Sequence, residues 1–229
     1  SATTAPDLLI QRTSTGVGIQ SGPNITFQDD SDGTRTVSVQ NTQGRFGVWN
    51  YNAGWKERLC VDNAGNLGLG VTPSAWGGGR ISFDIGNLTS LFNDPNGTSN
   101  LAMNAYWSGT QNVYKITAAA SSYEAGLGTH KWFTAPSGTA GNPISFTQAM
   151  TLDASGNLGL GVTPSAWGSV NKAIDVYGYA SFSGNGDLLS TDVASNTYID
   201  SAGAVKYKTS WYASLQRQRN GEHQWLTAP

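Results

Sequence analysis

Apolar and polar positions alternate with a period of two along much of the chain. The runs Thr34-Arg35-Thr36-Val37-Ser38-Val39-Gln40, Asn112-Val113-Tyr114-Lys115-Ile116 and Val205-Lys206-Tyr207-Lys208-Thr209 show it most clearly. That period sends alternate side chains to opposite faces of a strand. Clusters of Asp, Asn, Gly and Ser at residues 29–33, 93–97 and 183–187 interrupt the runs, and those residue types close turns. No helix longer than two turns is expected. Residues 210–220 and their counterpart 117–127 come nearest to a helical pattern. The prediction is an all-β fold.

The pattern also repeats. Gly65-Asn66-Leu67-Gly68-Leu69-Gly70-Val71-Thr72-Pro73-Ser74-Ala75-Trp76-Gly77 recurs letter for letter at 156–168, 91 residues later. A second block, His130-Lys131-Trp132-Phe133-Thr134-Ala135-Pro136, pairs with His223-Gln224-Trp225-Leu226-Thr227-Ala228-Pro229 at a spacing of 93, which Tyr114-Lys115 and Tyr207-Lys208 share. Repetition at this scale points to serial modules. We divide the chain into an N-terminal β segment (1–57) with a degraded echo of the cassette at Gly16-Val17-Gly18-Ile19, a first repeat module (58–148) and a second (149–229) cut short within the repeat.

Each cassette follows a strand-like lead-in ending in Asp62 or Asp153. In Asp-x-x-Gly-Asn the Asp can close an Asx-turn and Gly-Asn accept positive φ, so strand, turn and strand predict a β-hairpin. The second strand is expected to run from Leu67 to Val71, with Leu67, Leu69 and Val71 on one face and bare Gly68 and Gly70 on the other, open to close approach by another backbone. Leu158, Leu160 and Val162 repeat this. An isolated hairpin is marginal in water, so the module must pack on something. Pro73 stops the strand and lets Trp76 fold back as an apolar lid.

Composition sharpens the reading. Only 12% of residues are charged, and 13 Lys plus Arg face 15 Asp plus Glu. With no basic field, nucleic acid is not an expected partner. Eight Trp, nine Tyr and seven Phe are too many aromatics for a solvated tail. No apolar run of about 18 residues is present, so no membrane insertion by a helix is expected. The single Cys60 is expected to be a small buried hydrophobe.

Asp153-Ala154-Ser155-Gly156-Asn157-Leu158-Gly159-Leu160-Gly161-Val162-Thr163-Pro164, and its copy from Asp62, resemble the hairpin repeats of phage tail fibres and related bacterial fibre adhesins. In that family such repeats often precede a self-cleaving chaperone domain. No Ser–Lys or Ser–His arrangement of that kind is discernible, so the chain is read as the mature part. The resemblance implies an elongated, intertwined homotrimer of repeated β-hairpin and small β-sheet modules, placed on a virion tail or an extracellular surface. Bottom-up reasoning agrees that thin modules need partners, because backbone ordering costs about 1–2 kcal/mol per residue. Leu67, Leu69, Val71, Leu158, Leu160 and Val162 are the expected packing residues of the trimer axis.

The expected function is structural and adhesive: host attachment through a cell-surface glycan or protein, without catalysis or cofactor. A surface-glycan depolymerase and a purely structural shaft with its tip elsewhere are the alternatives. Carboxylates placed in turns, Asp62, Asp94, Asp153 and Asp187, lack the apolar flanks that raise a pKa for acid catalysis. The cluster Asp29-Asp30-Ser31-Asp32-Gly33 fails as a Ca²⁺ loop, since the twelfth position counted from Gln28 is Val39 rather than Glu. His130 and His223 occupy equivalent positions on serial modules and are expected to hold no shared metal. Recurring Trp76, Trp132, Trp167 and Trp225 read as module cores. Residues without an equivalent in the other repeat are the candidate ligand-binding positions: Trp107, Tyr123, Trp211, Tyr212, Arg217 and Arg219. Trp211 and Tyr212 stand where Ala118 and Ala119 stand in the first repeat, and Arg217 and Arg219 where Glu124 and Gly126 stand. Flat rings stack on sugar C–H faces while polar neighbours read hydroxyls.

Overall fold

The computed structural model describes residues 24–28, 36–42, 44–51 and 54–229. The echo at 16–19 and the cluster at 29–33 lie outside the described residues. Among those described, every regular element is a strand. The first ten are β1 (Asn24–Gln28), β2 (Thr36–Thr42), β3 (Arg45–Tyr51), β4 (Trp55–Val61), β5 (Leu67–Leu69), β6 (Ser82–Ile85), β7 (Thr89–Asp94), β8 (Thr98–Met103), β9 (Ala105–Trp107) and β10 (Asn112–Tyr114). They are followed by β11 (Ala118–Gly126), β12 (Thr129–Gly138), β13 (Thr147–Leu152), β14 (Leu158–Leu160), β15 (Asn171–Val176) and β16 (Ala180–Asn185). The last five are β17 (Ser190–Ser195), β18 (Thr197–Ile199), β19 (Val205–Tyr207), β20 (Ala213–Arg219) and β21 (Glu222–Ala228). Strands β4 to β12 and β13 to β21 follow the same order. The two stretches nearest to a helical pattern became β11 and β20, because their apolar positions are used at period two.

The chain gathers into two compact units, one of residues up to 95, 101–118 and 138–144, the other of 96–100, 119–137 and 145–229. In the first, β1 to β5 pair antiparallel in succession, β5 pairs parallel with β6, and β6 pairs antiparallel with β7. In the second, β12, β13 and β14 pair antiparallel, β14 pairs parallel with β15, and β15, β16, β17, β20 and β21 continue antiparallel. Short hairpins, β9–β10 and β18–β19, complete the respective units.

The cassette explains the parallel pair. Asp62 Oδ1 accepts from the Ala64 and Asn66 amides, both at 2.9 Å, and Asp153 Oδ1 from Ser155 and Asn157 at 2.9 and 2.8 Å. The expected Asx-turn therefore forms, with Gly65 and Gly156 at positive φ. The Asn that follows does not take positive φ. Asn66 and Asn157 are buried instead, and each side chain bridges the turn Asp to an amide of the next parallel strand, Ser82 or Ala173. The hairpin's second strand is shorter than expected. It ends at Leu69 or Leu160 because Gly70 and Gly161 turn left-handed, at φ +69° and +67°. Val71 and Val162 therefore leave the leucine row. The backbone doubles back so tightly that a Cβ on Gly68 or Gly159 would lie 2.1 or 2.0 Å from the carbonyl oxygen of Val71 or Val162, so the backbone that approaches is the cassette's own.

The sheet polarity is inverted from the usual pattern. Strands β15, β16 and β17 bury Asn171, Asp175, Ser181, Ser183, Asn185, Ser190 and Asp192. They leave Ile174, Val176, Phe182 and Val193 38–53% exposed. Most of the buried groups find partners: Ser181 Oγ donates to the Thr197 carbonyl, Asn185 Nδ2 to Asn171 Oδ1, and Arg217 grips Asp192 through two bonds of 2.7 and 2.8 Å, whereas Asn171 Nδ2 and Ser190 Oγ are buried without one. Residues paired in register share a face. Leu158, Ile174, Phe182 and Val193 thus form one cross-strand row, and Leu160 joins Val176 beside it. In the first unit Phe46, Val61, Leu67, Phe83 and Leu91 form the equivalent row, with Leu69 and Ile85 beside it. Cys60 is fully buried on the opposite face, and burial followed by the charge of Glu57 pushes its thiol up to about 11.

Candidate functional site

Beneath each cassette lies a buried trio. Asp84 accepts from the Ser74 amide at 2.8 Å and from Trp76 Nε1 at 3.3 Å, and it pairs with Lys115 Nζ at 2.9 Å. Asp175 does the same with Ser165, Trp167 and Lys208, at 2.7, 3.3 and 2.7 Å. Trp76 and Trp167 are core residues, as expected, and their indole N–H groups need such an acceptor once buried. Burial alone would raise the Asp84 carboxyl. The Ser74 amide and the Lys115 ammonium outweigh it and hold the carboxyl below its ordinary range. Burial pulls the Lys115 ammonium down, and Asp84 opposes that.

The reading that placed the carboxylates in turns missed these two. Asp84 sits between Phe83 and Ile85, Asp175 between Ile174 and Val176. Their recurrence at the 91-residue spacing, with Lys at 93, was the available signal. Asp94 likewise ends β7 rather than lying in a turn, and it pairs with Arg80.

A second clamp sets the rim of each module. Asn104 and Asn196 are buried at positive φ, +59° and +60°. Asn104 Nδ2 donates to the Ile116 and Ala118 carbonyls, and its Oδ1 accepts from the Ile116 amide. Asn196 Nδ2 donates to the carbonyls of Thr209, Trp211 and Tyr212, at 3.1, 2.7 and 3.3 Å, while Oδ1 accepts from the Thr209 amide and hydroxyl. The loop leading into β20 is therefore fixed by one side chain, and it presents Trp211 and Tyr212 at 69% and 76% exposure. The Asn196 amide also donates to the Tyr179 carbonyl at 2.7 Å, which brings Tyr179 to the same rim. Tyr177 stands two residues before it and is 77% exposed. Reasoning from sequence passed over these tyrosines, although the 91-residue spacing of the cassettes sets them against Gly86 and Leu88.

The other candidates lie elsewhere. Arg217 is committed to Asp192, and that carboxylate holds its guanidinium pKa up. Arg219 closes β20 opposite Glu222. At about 3.3 Å per residue it lies roughly 20 Å along the strand from Tyr212, so the rim and Arg219 are separate. Trp107 is half-buried under the Arg80 guanidinium, 4.3 Å from its ring centroid. Tyr123 stacks on His130 with rings 6.0 Å apart, and its hydroxyl meets His130 Nδ1 at 2.5 Å; Trp132 packs alongside. Trp225 is not a core residue. It is 76% exposed and continues the apolar row of Val193 beyond Gln216.

Comparison with family models finds no match along the chain, and comparison with curated proteins finds none either.

Proposed function

We propose that this chain is a segment of a homotrimeric surface or tail fibre that attaches to a cell surface. The observation that supports it is the inverted polarity of the sheets. Burying a side chain such as Ile, Val or Phe is worth roughly 1.5–3 kcal/mol, yet both units leave rows of them in solvent and turn Asn, Ser and Asp inward. Monomers rarely keep contiguous apolar patches of that kind. Copies of the same chain are the simplest cover, since homo-oligomers with closed symmetry prevail among assemblies. Leu67, Leu69, Leu158 and Leu160 stand in these rows. Adhesion is assigned to the rim of Trp211, Tyr212, Tyr177 and Tyr179, a set of rings suited to stacking on sugars or docking in a surface protein.

Sedimentation equilibrium of the 229-residue chain tests assembly, with a stable folded monomer at micromolar concentration as the result that sinks it. Binding of the labelled chain to host cells tests adhesion. A trimer that binds no cell is a shaft, and one that shortens surface polysaccharide is a depolymerase.

A further inference from the structure

The two units differ most where the β6–β7 turn meets the segment after β10. In the second unit the equivalent β15–β16 turn carries Tyr177. In the first, Gly86 stands there, beside a cavity of about 470 Å³ walled by Ser74, Gly86, Asn87, Tyr106, Tyr114 and Lys115. Residues 138–144 close one side: Gly141 donates to the Tyr114 carbonyl, and the Tyr114 amide to Asn142. Tyr114 is 5% exposed as a result, against 46% for its equivalent Tyr207. The volume falls within the roughly 300–1,000 Å³ typical of small-molecule sites.

Lys115 is the informative wall residue. Its side chain is 6% exposed, and its ammonium pairs with Asp84 at 2.9 Å and lies 5.8 Å from the centroid of the Trp76 ring. Lys208 in the other unit reaches both Asp175 and the Ala180 carbonyl. The Lys115 ammonium is itself sealed from solvent, so it stands behind the cavity wall rather than donating into it. Because Asp84 neutralises it, the pair brings no net charge to the cavity. Asn87 adds an amide that both donates and accepts, and Ser74 a hydroxyl. Val71, Ile116 and Tyr106 also line it. Amide and hydroxyl groups beside carbon suit a ring whose edge bears hydroxyls and whose face bears C–H groups.

We propose that this cavity binds a single neutral pyranose, free or as a unit of a glycan. The site lies within one unit of one chain, so it depends neither on trimer assembly nor on the aromatic rim.

The test titrates the 229-residue chain with methyl glycosides of glucose, galactose, mannose and N-acetylglucosamine, and with glucuronate as the charged arm, followed by ligand-observed NMR and calorimetry. Saturable binding of at least one neutral glycoside is expected. Gly86→Tyr should weaken it at least about tenfold, equivalent to roughly 1.4 kcal/mol. That substitution suits the backbone, since Gly86 lies at φ +56° and Tyr177 holds φ +49° at the equivalent position; an unchanged melting temperature checks it. Asn87→Ala should weaken binding severalfold with the cavity still open, and a Trp211→Ala/Tyr212→Ala double variant should leave it unchanged. The proposal is overturned by any of three results: no saturable binding of a neutral glycoside, equal binding to Gly86→Tyr, or glucuronate bound about tenfold better than the neutral sugars.

Discussion

The two units share their clamps and differ at their rims. Asn66 and Asn157, Asp84 and Asp175, Lys115 and Lys208, and Asn104 and Asn196 make matching bonds in matching places. Around them the first repeat has Gly86, Leu88, Ala118 and Ala119, where the second has Tyr177, Tyr179, Trp211 and Tyr212. Variation is tolerated there because a buried side chain, and no rim residue, fixes the loop backbone. Loops on a rigid scaffold are where binding residues tend to sit.

The widest effect should come from the faces that the units have in common. Leu69→Asp and Leu160→Asp should each abolish trimer assembly, because three unpaired carboxylates brought together cost several kcal/mol each unless they take up protons. Sedimentation equilibrium reads the result. Loss in one variant only would show that the trimer is held by one unit. A mutant that assembles and melts like the wild type would place the leucine face outside the contact.

The clamps come next. Asp84→Ala leaves the Lys115 ammonium and the Trp76 indole N–H buried without their acceptor, a loss of about 3–5 kcal/mol for a broken buried pair. Asp175→Ala should cost the same, and urea denaturation of both variants measures whether the repeat is energetically as well as geometrically equal. The pH dependence has a definite sign. The folded Asp84 carboxyl lies below its unfolded value, so its contribution is complete above the unfolded pKa near 4 and is lost as pH falls through the folded one. Acid titration of stability should show this in the wild type and not in Asp84→Ala.

The smallest effect on the fold, and the most direct on function, should follow from giving the second rim the first rim's residues. Trp211→Ala with Tyr212→Ala should leave stability within about 0.5 kcal/mol of wild type, as for exposed positions generally. Host-cell binding should weaken by about 1–3 kcal/mol per lost ring. Loss of folding would make these residues structural, and full retention of binding would move recognition to another surface.

Much of this architecture was legible beforehand. The exact recurrence of 65–77 at 156–168 and the Asp-x-x-Gly turn predicted the hairpins, and period-two alternation predicted strands. Alternation, however, reads the same whichever face is covered, so it did not tell that Asn171, Asp175 and Ser181 turn inward while Ile174 and Phe182 face solvent. Strand length was overestimated because Gly70 was counted as a strand residue, although a left-handed φ ends the ladder there. Asn66 looked like a turn residue, and no motif singled out Asn104. What made them clamps is a set of partners 12 to 16 residues away in sequence, which composition does not encode. At the rim, comparing the repeats found Trp211 and Tyr212 and would have found Tyr177 and Tyr179 had it been carried through every turn.

The Asn196 socket has a consequence for protein engineering. A single carboxamide bonds the backbone of residues 209, 211 and 212 and leaves the side chains of Trp211 and Tyr212 exposed. Positions 211 and 212 are therefore a graft point whose main-chain path does not depend on the residues installed. A library randomised at these two positions, with Asn196 kept, would vary ligand preference on an unchanged backbone. If the chain assembles as proposed, each variant would be displayed in three copies, so millimolar single-site contacts would add as avidity.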